Sequence, residues 1–133
     1  MSGYLGSIGF ALPAAMGAWA AVGGDRQVVS ISGDGGLGQY AMELTTAAKY
    51  DMNITHVVLD NSELGKISKE QRSAELDVWQ TLLVNPDFAA FAELCGVRGF
   101  RVDDTDGLDM TLSEALAHGG PALVYVRSDA LLV

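Results

Sequence analysis

Apolar positions recur along the chain at two alternating spacings. From about Phe10 to Val22 the sequence is apolar and rich in Ala and Gly, which predicts a buried helix. A strand is expected over Gln27–Ser32, within "QVVSI" and its flanks. A Gly-rich turn follows. Leu37, Tyr40, Ala41, Leu44 and Ala48 then recur at helical spacing, so one helix is expected from about Leu37 to Tyr50. "ITHVVLD", Ile54–Asp60, is almost continuously apolar, as a strand covered on both faces should be. An irregular stretch is expected from Asn61 to Asn85. Beyond it come a helix from about Pro86 to Cys95 with Pro86 in its first turn, a short strand "FRV", a helix from about Met110 to His118, and a last strand "ALVYV". This alternation predicts an α/β fold: a parallel sheet with helices on both faces and right-handed crossovers. No repeat, low-complexity tract or linker interrupts it, so residues 1–133 read as a single domain.

Composition narrows the function classes. With 49% hydrophobic residues the chain is neither disordered nor fibrous. A net charge of -9 argues against a nucleic-acid or anionic-membrane partner, which would call for a basic patch. The apolar stretch from Ile8 to Gly23 contains Pro13, has no basic flank before it and is short for a bilayer span, so no membrane segment is expected. The single cysteine, Cys95, excludes an internal disulfide; its apolar helical context marks it as a core residue and fits a reducing, cytoplasmic setting. His56, in a strand, and His118, at a helix end, read as structural. No zinc spacing and no nucleophile elbow occur.

The informative stretch is "SGDGGLG", Ser32 to Gly38. As a string, Gly33-x-Gly35-x-x-Gly38 matches a dinucleotide fingerprint, and Asp60 follows by about twenty residues, where a ribose-binding acid would stand. Against this, Asp34 inside the turn would repel a pyrophosphate unless it turned to solvent or a cation neutralised it. Mg2+ binds carboxylate, carbonyl and phosphate oxygens together. In a parallel sheet the next strand end lies beside this one, and it offers Asn61 and, just beyond, the backbone carbonyl of Glu63. A metal-bridged diphosphate, a dinucleotide and a plain glycine-rich connection all remain open on these residues alone.

A wider comparison of motifs bears on the choice. "GDGG", a helix bearing "ELTTAAKYDMNI" and a strand ending "LDNSELG" together resemble the thiamine diphosphate signature, a Gly-Asp-Gly followed one crossover later by an asparagine pair. "GSIGFALPAAMGA" resembles the segment just upstream in the pyruvate oxidase, acetolactate synthase and pyruvate decarboxylase group. "NSELGKISKEQ" is most similar to the pyruvate oxidase branch. The resemblance covers nearly the whole chain and corresponds to the C-terminal, diphosphate-binding domain, with the thiamine diphosphate-binding fold.

It implies thiamine diphosphate and Mg2+ as cofactors. Asp34 and Asn61 would bind Mg2+ through side chains and Glu63 through its carbonyl. Gly35 and Gly36, in a cradle with Gly33, would donate N–H groups to the diphosphate. Lys66 and Ile67 would lie close to the cofactor. Ile8 would force the cofactor into its bent shape, and the carbonyl of Gly6 would hold the aminopyrimidine. Asp60 departs from the asparagine pair at its first member; the metal-binding second member, Asn61, is retained.

The resemblance also implies what this chain does not supply. The family's activating glutamate belongs to a pyrimidine-binding domain, so no catalytic residue is expected here, and a partner domain or subunit is. The chain is expected to be a C-terminal fragment or a small subunit of an enzyme acting on a small 2-keto acid as decarboxylase, oxidase or acyloin synthase. The alternative is a non-catalytic interaction or assembly module. Apolar surface around Ile8, Phe10, Leu12 and Met16 is expected to drive homo-oligomer formation. Glu63, Lys66, Glu70 and Gln71 are candidates to face substrate or to form a solvated loop.

Overall fold

The almost continuously apolar segment Ile54–Asp60 runs through the interior of the sheet. The computed structural model describes residues 6–130. In chain order the elements are α1 (Ala11–Ala21), β1 (Val28–Gly33), α2 (Asp34–Tyr40), α3 (Glu43–Lys49), β2 (Ile54–Asp60), α4 (Gly65–Ser73), α5 (Phe88–Leu94), β3 (Arg98–Val102), α6 (Leu108–Ala117) and β4 (Ala122–Arg127). The four strands pair in the order β1-β2-β4-β3, all parallel. β2 is hydrogen-bonded on both sides and every residue but Leu59 is buried, which is why its sequence shows no alternation. β1 lies at an edge and alternates between half-buried and exposed positions.

Helices cover both faces, as the strand–helix alternation predicts. Leu12 of α1, Leu37 of α2, Leu44 of α3 and Phe88 of α5 meet Val58 and Leu123 in the main core on one face. On the other, Ala115 of α6 packs against Val57, Val102 and Val124. α6 lies over β3 and β4. Val29 and Ile31 of β1, which share that face through the pairing of Ile31 with Val57, remain 52% and 61% exposed.

Several expectations change in detail. The helix expected over Leu37–Tyr50 starts at Asp34 and is two helices, α2 and α3. Ala41 and Met42 between them keep right-handed helical dihedrals. The chain tightens there rather than turning away: Leu44 N donates to Ala41 O and Thr45 N to Met42 O, bonds of the 3₁₀ type. The apolar period continues across the junction and so does not reveal it.

The irregular stretch Asn61–Asn85 contains α4, whose "GKISKEQRS" has Ser68 as its one buried residue and hence no apolar stripe. Pro86 precedes α5 instead of standing in its first turn, because Asp87 is the cap and its side chain accepts from Ala90 N at 3.0 Å. Leu12, expected on an exposed surface, is buried in the main core, and Met16 packs half-buried against it; Ile8 and Phe10 are exposed. Among the described residues no helix is long and apolar enough to cross a membrane.

α5 sits so close to β3 that a Cβ at Gly99 would fall 2.2 Å from the Ala89 carbonyl oxygen. Backbone cannot yield as a side-chain tip can. Gly99→Ala is expected to cost about 2–3 kcal/mol and to lower the thermal midpoint by roughly 5–10 °C, measured by calorimetry; an unchanged midpoint would refute the close approach.

Candidate functional site

The site begins with strand register. Gly33 pairs with Leu59, so the residues that follow, Asp34 and Asp60, leave adjacent parallel strands side by side. This is the strand edge where ligands gather in parallel sheets. Asp34 is the first residue of α2, where the helix dipole favours an anion. It does not turn to solvent: Asp34 is 3% exposed and Asp60 4%.

Two buried carboxylates need donors. Tyr125 Oη donates to Asp60 Oδ2 at 2.8 Å, while Ser62 N and Ser62 Oγ donate to Oδ1 at 2.7 and 3.0 Å. The Asn85 amide nitrogen donates to Asp60 Oδ1 at 2.8 Å and to Asp34 Oδ2 at 2.6 Å. Burial pushes the Asp34 carboxyl above its usual range. The Asn85 hydrogen bond works against this, and neighbouring Asp60 adds to it. Burial also pulls Asp60 upward, but the hydrogen bonds from Tyr125, Asn85 and Ser62 outweigh it and hold that carboxyl below its usual range. Burial and then Asp60 push Tyr125 up to about 12.

Beyond β2 the chain folds back through two overlapping Asx turns. Asn61 Oδ1 accepts from Glu63 N at 3.1 Å, and Ser62 takes a left-handed φ of 54°. The Glu63 carboxylate points away from the strand end. It accepts from Ser68 Oγ, from Thr81 Oγ1 at 3.4 Å and from Arg72 Nη2 at 3.5 Å. A single antiparallel bridge joins Glu63 to Leu82 and uses the Ser62 and Thr81 carbonyls. The Glu63 carbonyl takes no part in those two bonds.

The glycines mark close approaches. A Cβ on Gly36 would meet Gly9 N at 3.6 Å and Ser32 Cβ at 3.7 Å; one on Gly35 would meet Leu64 Cδ2 at 3.0 Å and Leu83 Cδ1 at 3.3 Å. Gly9, which follows the Gly6–Ile8 segment, and the start of α4 therefore both abut the glycine-rich turn. Ile8, with Phe10, Pro13 and Tyr40, lines a shallow apolar depression beside it. Gly6 adopts a φ of 56° at the outer end of that segment. Lys66 and Ile67 stand on the first turn of α4 and are exposed, Lys66 Nζ lying 3.8 Å from Glu70 Oε1. Glu70 and Gln71 are on the helix, not in a loop. Gln71 ties it to the following strap, accepting from Trp79 N and donating to Trp79 O, both at 3.2 Å.

This geometry disfavours the dinucleotide reading. In that fingerprint the third glycine permits tight helix–strand packing, yet a Cβ on Gly38 would touch nothing within 4 Å. Asp60, the candidate ribose acid, already accepts from three residues. Among the described residues no three His, Cys, Asp or Glu side chains cluster for a metal. A cation here would take one carboxylate plus amide and carbonyl oxygens. That donor set is hard, and it suits Mg2+.

Asn85 and Tyr125 were not legible as site residues. The one sequence signal is that Asn85 precedes Pro86, which restricts it to extended backbone. His56, read as structural, is structural: its ring lies between Ser30 Oγ, 2.7 Å from Nδ1, and Ser32 Oγ, 2.9 Å from Nε2. Neutral imidazole has one donor and one acceptor nitrogen for these two hydroxyls, and it ties β2 to the residue just before the turn.

Comparison with known proteins agrees with the geometry. Residues 1–126 match the family model described as the thiamine pyrophosphate enzyme C-terminal TPP binding domain. A putative thiamine pyrophosphate-containing protein YdaP of Bacillus subtilis is 38% identical over 126 residues, covering 95% of this chain and 22% of that protein. The catabolic acetolactate synthase of Raoultella terrigena is 36% identical over 92% of this chain and 22% of its own length. The acetolactate synthase isozyme 2 large subunit of Escherichia coli is 36% identical over 96% and 23%. The chain thus spans less than a quarter of the length of these relatives.

Burial lowers the pKa of His56 from 6.5 to about 4. The unfolded chain binds this proton more readily than the folded one. The stabilisation is therefore complete above about pH 6.5 and is lost as pH falls toward 4, by about 3 kcal/mol in all. Denaturant unfolding of wild type and His56→Gln across this window is expected to show the slope in wild type and a flatter profile in the variant; parallel profiles would refute it.

Proposed function

The chain belongs to the thiamine pyrophosphate enzymes as their C-terminal cofactor-binding domain, and from that premise we propose that the ends of β1 and β2 hold the cofactor's diphosphate through Mg2+. The observation that supports this most is the buried Asp34 carboxylate standing within a glycine cradle. A net charge of -9 leaves no field of Lys and Arg to receive a diphosphate, so a cation and backbone N–H groups do this work. Asp34 gives its carboxylate to Mg2+, Asn61 its amide oxygen and Glu63 its backbone carbonyl. Gly35 and Gly36 offer N–H groups to the diphosphate at the start of α2, beside Gly33, where helix N–H groups lack intrahelical partners. Gly6, Ile8, Lys66 and Ile67 border the organic part of the cofactor.

Thiamine diphosphate, when bound, supplies the carbanion and electron sink for 2-keto-acid chemistry. Protein groups bind and orient it. The relatives named acetolactate synthases support a small 2-keto acid as substrate. We assign the chain as the diphosphate half of such an enzyme, working in the cytoplasm with a pyrimidine-binding domain from another chain or another part of a longer polypeptide. Exposed Ile8, Phe10, Tyr40 and Met42 give the rim an apolar face for that contact and for homo-oligomer formation.

Isothermal titration of thiamine diphosphate is expected to show binding with Mg2+ and none with EDTA, and Asp34→Ala is expected to abolish the Mg2+-dependent heat. Metal-dependent binding that survives in Asp34→Ala would remove Asp34 from the site; no heat from wild type in either buffer would overturn the assignment of a working half-site to this chain.

A further inference from the structure

Asn85 lies outside both signature motifs, yet it touches both strand ends. We propose that Asn85 is a positioning residue that orients Asp34 toward the cation and keeps the neighbouring Asp60 out of the cation's coordination shell. The inference rests on the Mg2+ reading above and concerns how this chain selects among divalent ions.

The geometry is that of a two-handed clamp. A carboxamide has two N–H hydrogens, and the Asn85 nitrogen reaches Asp34 Oδ2 at 2.6 Å and Asp60 Oδ1 at 2.8 Å. One oxygen of Asp34 is thereby fixed. Asp60 is satisfied on both oxygens, with Tyr125 on Oδ2 and Ser62 beside Asn85 on Oδ1. A carboxylate so occupied gains little by swinging to a metal.

The clamp is rigid because its backbone is held on either side. Two residues before it, Leu83 N donates to Ser62 O at 2.8 Å, tying the strap to the turn after β2. Immediately after it, Pro86 restricts Asn85 to extended backbone. Two residues on, Asp87 caps α5 and receives Arg101 Nη1 at 2.6 Å. A neutral donor fixed this way adds no charge, so from the protein the cation meets one carboxylate and otherwise neutral oxygens.

That composition has a consequence for selectivity. Mg2+ demands a small, rigid octahedron, whereas Ca2+ accepts more oxygens in looser geometry. Releasing Asp60 would offer a second, mobile carboxylate, which suits Ca2+. Loss of an outer partner of a metal ligand typically weakens the metal 10- to 100-fold.

The test is titration of Mg2+ and, separately, Ca2+ into the full chain at saturating thiamine diphosphate, read calorimetrically. Asn85→Ala is expected to weaken Mg2+ by about 10-fold with Ca2+ held or strengthened, so the Mg2+/Ca2+ preference falls by a similar factor. In the Asp60→Asn background, with no second carboxylate to release, Asn85→Ala is expected to leave that preference unchanged. Equal losses for both ions would mean a merely structural role and would overturn the inference, as would an unchanged Mg2+ affinity. Should Asn85→Ala not fold, Asn85→Ser, whose single hydroxyl donates to one carboxylate at a time, is expected to move the preference the same way by less. A wild type that binds neither ion sinks the Mg2+ reading itself; a wild type that binds Mg2+ beside a variant of unchanged preference sinks only the role of Asn85.

Discussion

Two aspartates at the ends of adjacent strands are buried side by side, and the surrounding structure is arranged to permit it. Burial of an ionised carboxylate is costly unless hydrogen bonds replace water. Here those bonds come from three parts of the chain, β4 through Tyr125, the turn after β2 through Ser62 and the long strap through Asn85, and the helix dipole at the start of α2 adds to them. The strap must cross the strand ends for Asn85 to arrive, and the Glu63–Leu82 bridge, the Trp79–Gln71 pair and the Asp87 cap fix its path. Much of the irregular chain between α4 and α5 thus follows from the need to supply one neutral amide.

An acidic chain that receives a diphosphate faces a second constraint. Coulomb attraction from a basic surface is not on offer at a net charge of -9. On the proposed reading local devices replace it: backbone N–H groups at a helix start, glycines that let backbone and ligand approach, and an anionic residue whose natural complement is a cation. The aspartate that looks wrong for a phosphate-binding turn is consistent once the ion is included in the balance.

The same strand ends explain where apolar surface is left over. The main core closes beneath α1, α2, α3 and α5, while Ile8, Phe10 and Tyr40 stay exposed above the turn and Val29 and Ile31 stay exposed on the far face of β1. Leu12 belongs to the core because α1 turns that side inward, against Leu37 and Leu44. A stretch that is apolar on every side does not by itself announce which side is covered.

Strand–helix alternation, the near-continuous apolarity of Ile54–Asp60 and the Gly-Asp-Gly to Asp-Asn spacing were legible from the residues alone. They depend on local periodicity and on one crossover, and they determined an α/β parallel sheet; the ligand stayed open on these residues and was narrowed only by the resemblance of the motifs to a known family. The division of the helix at Ala41–Met42, the polar helix Gly65–Ser73 and the roles of Asn85 and Tyr125 were decided only in three dimensions. A 3₁₀ tightening leaves the apolar period intact, and a helix without a buried stripe leaves no pattern. Asn85 lies 51 positions from Asp34, and Tyr125 lies 65 from Asp60. A hydrogen bond across such separations exists only because strand order and a fixed strap bring the groups together, and no short-range pattern encodes that meeting.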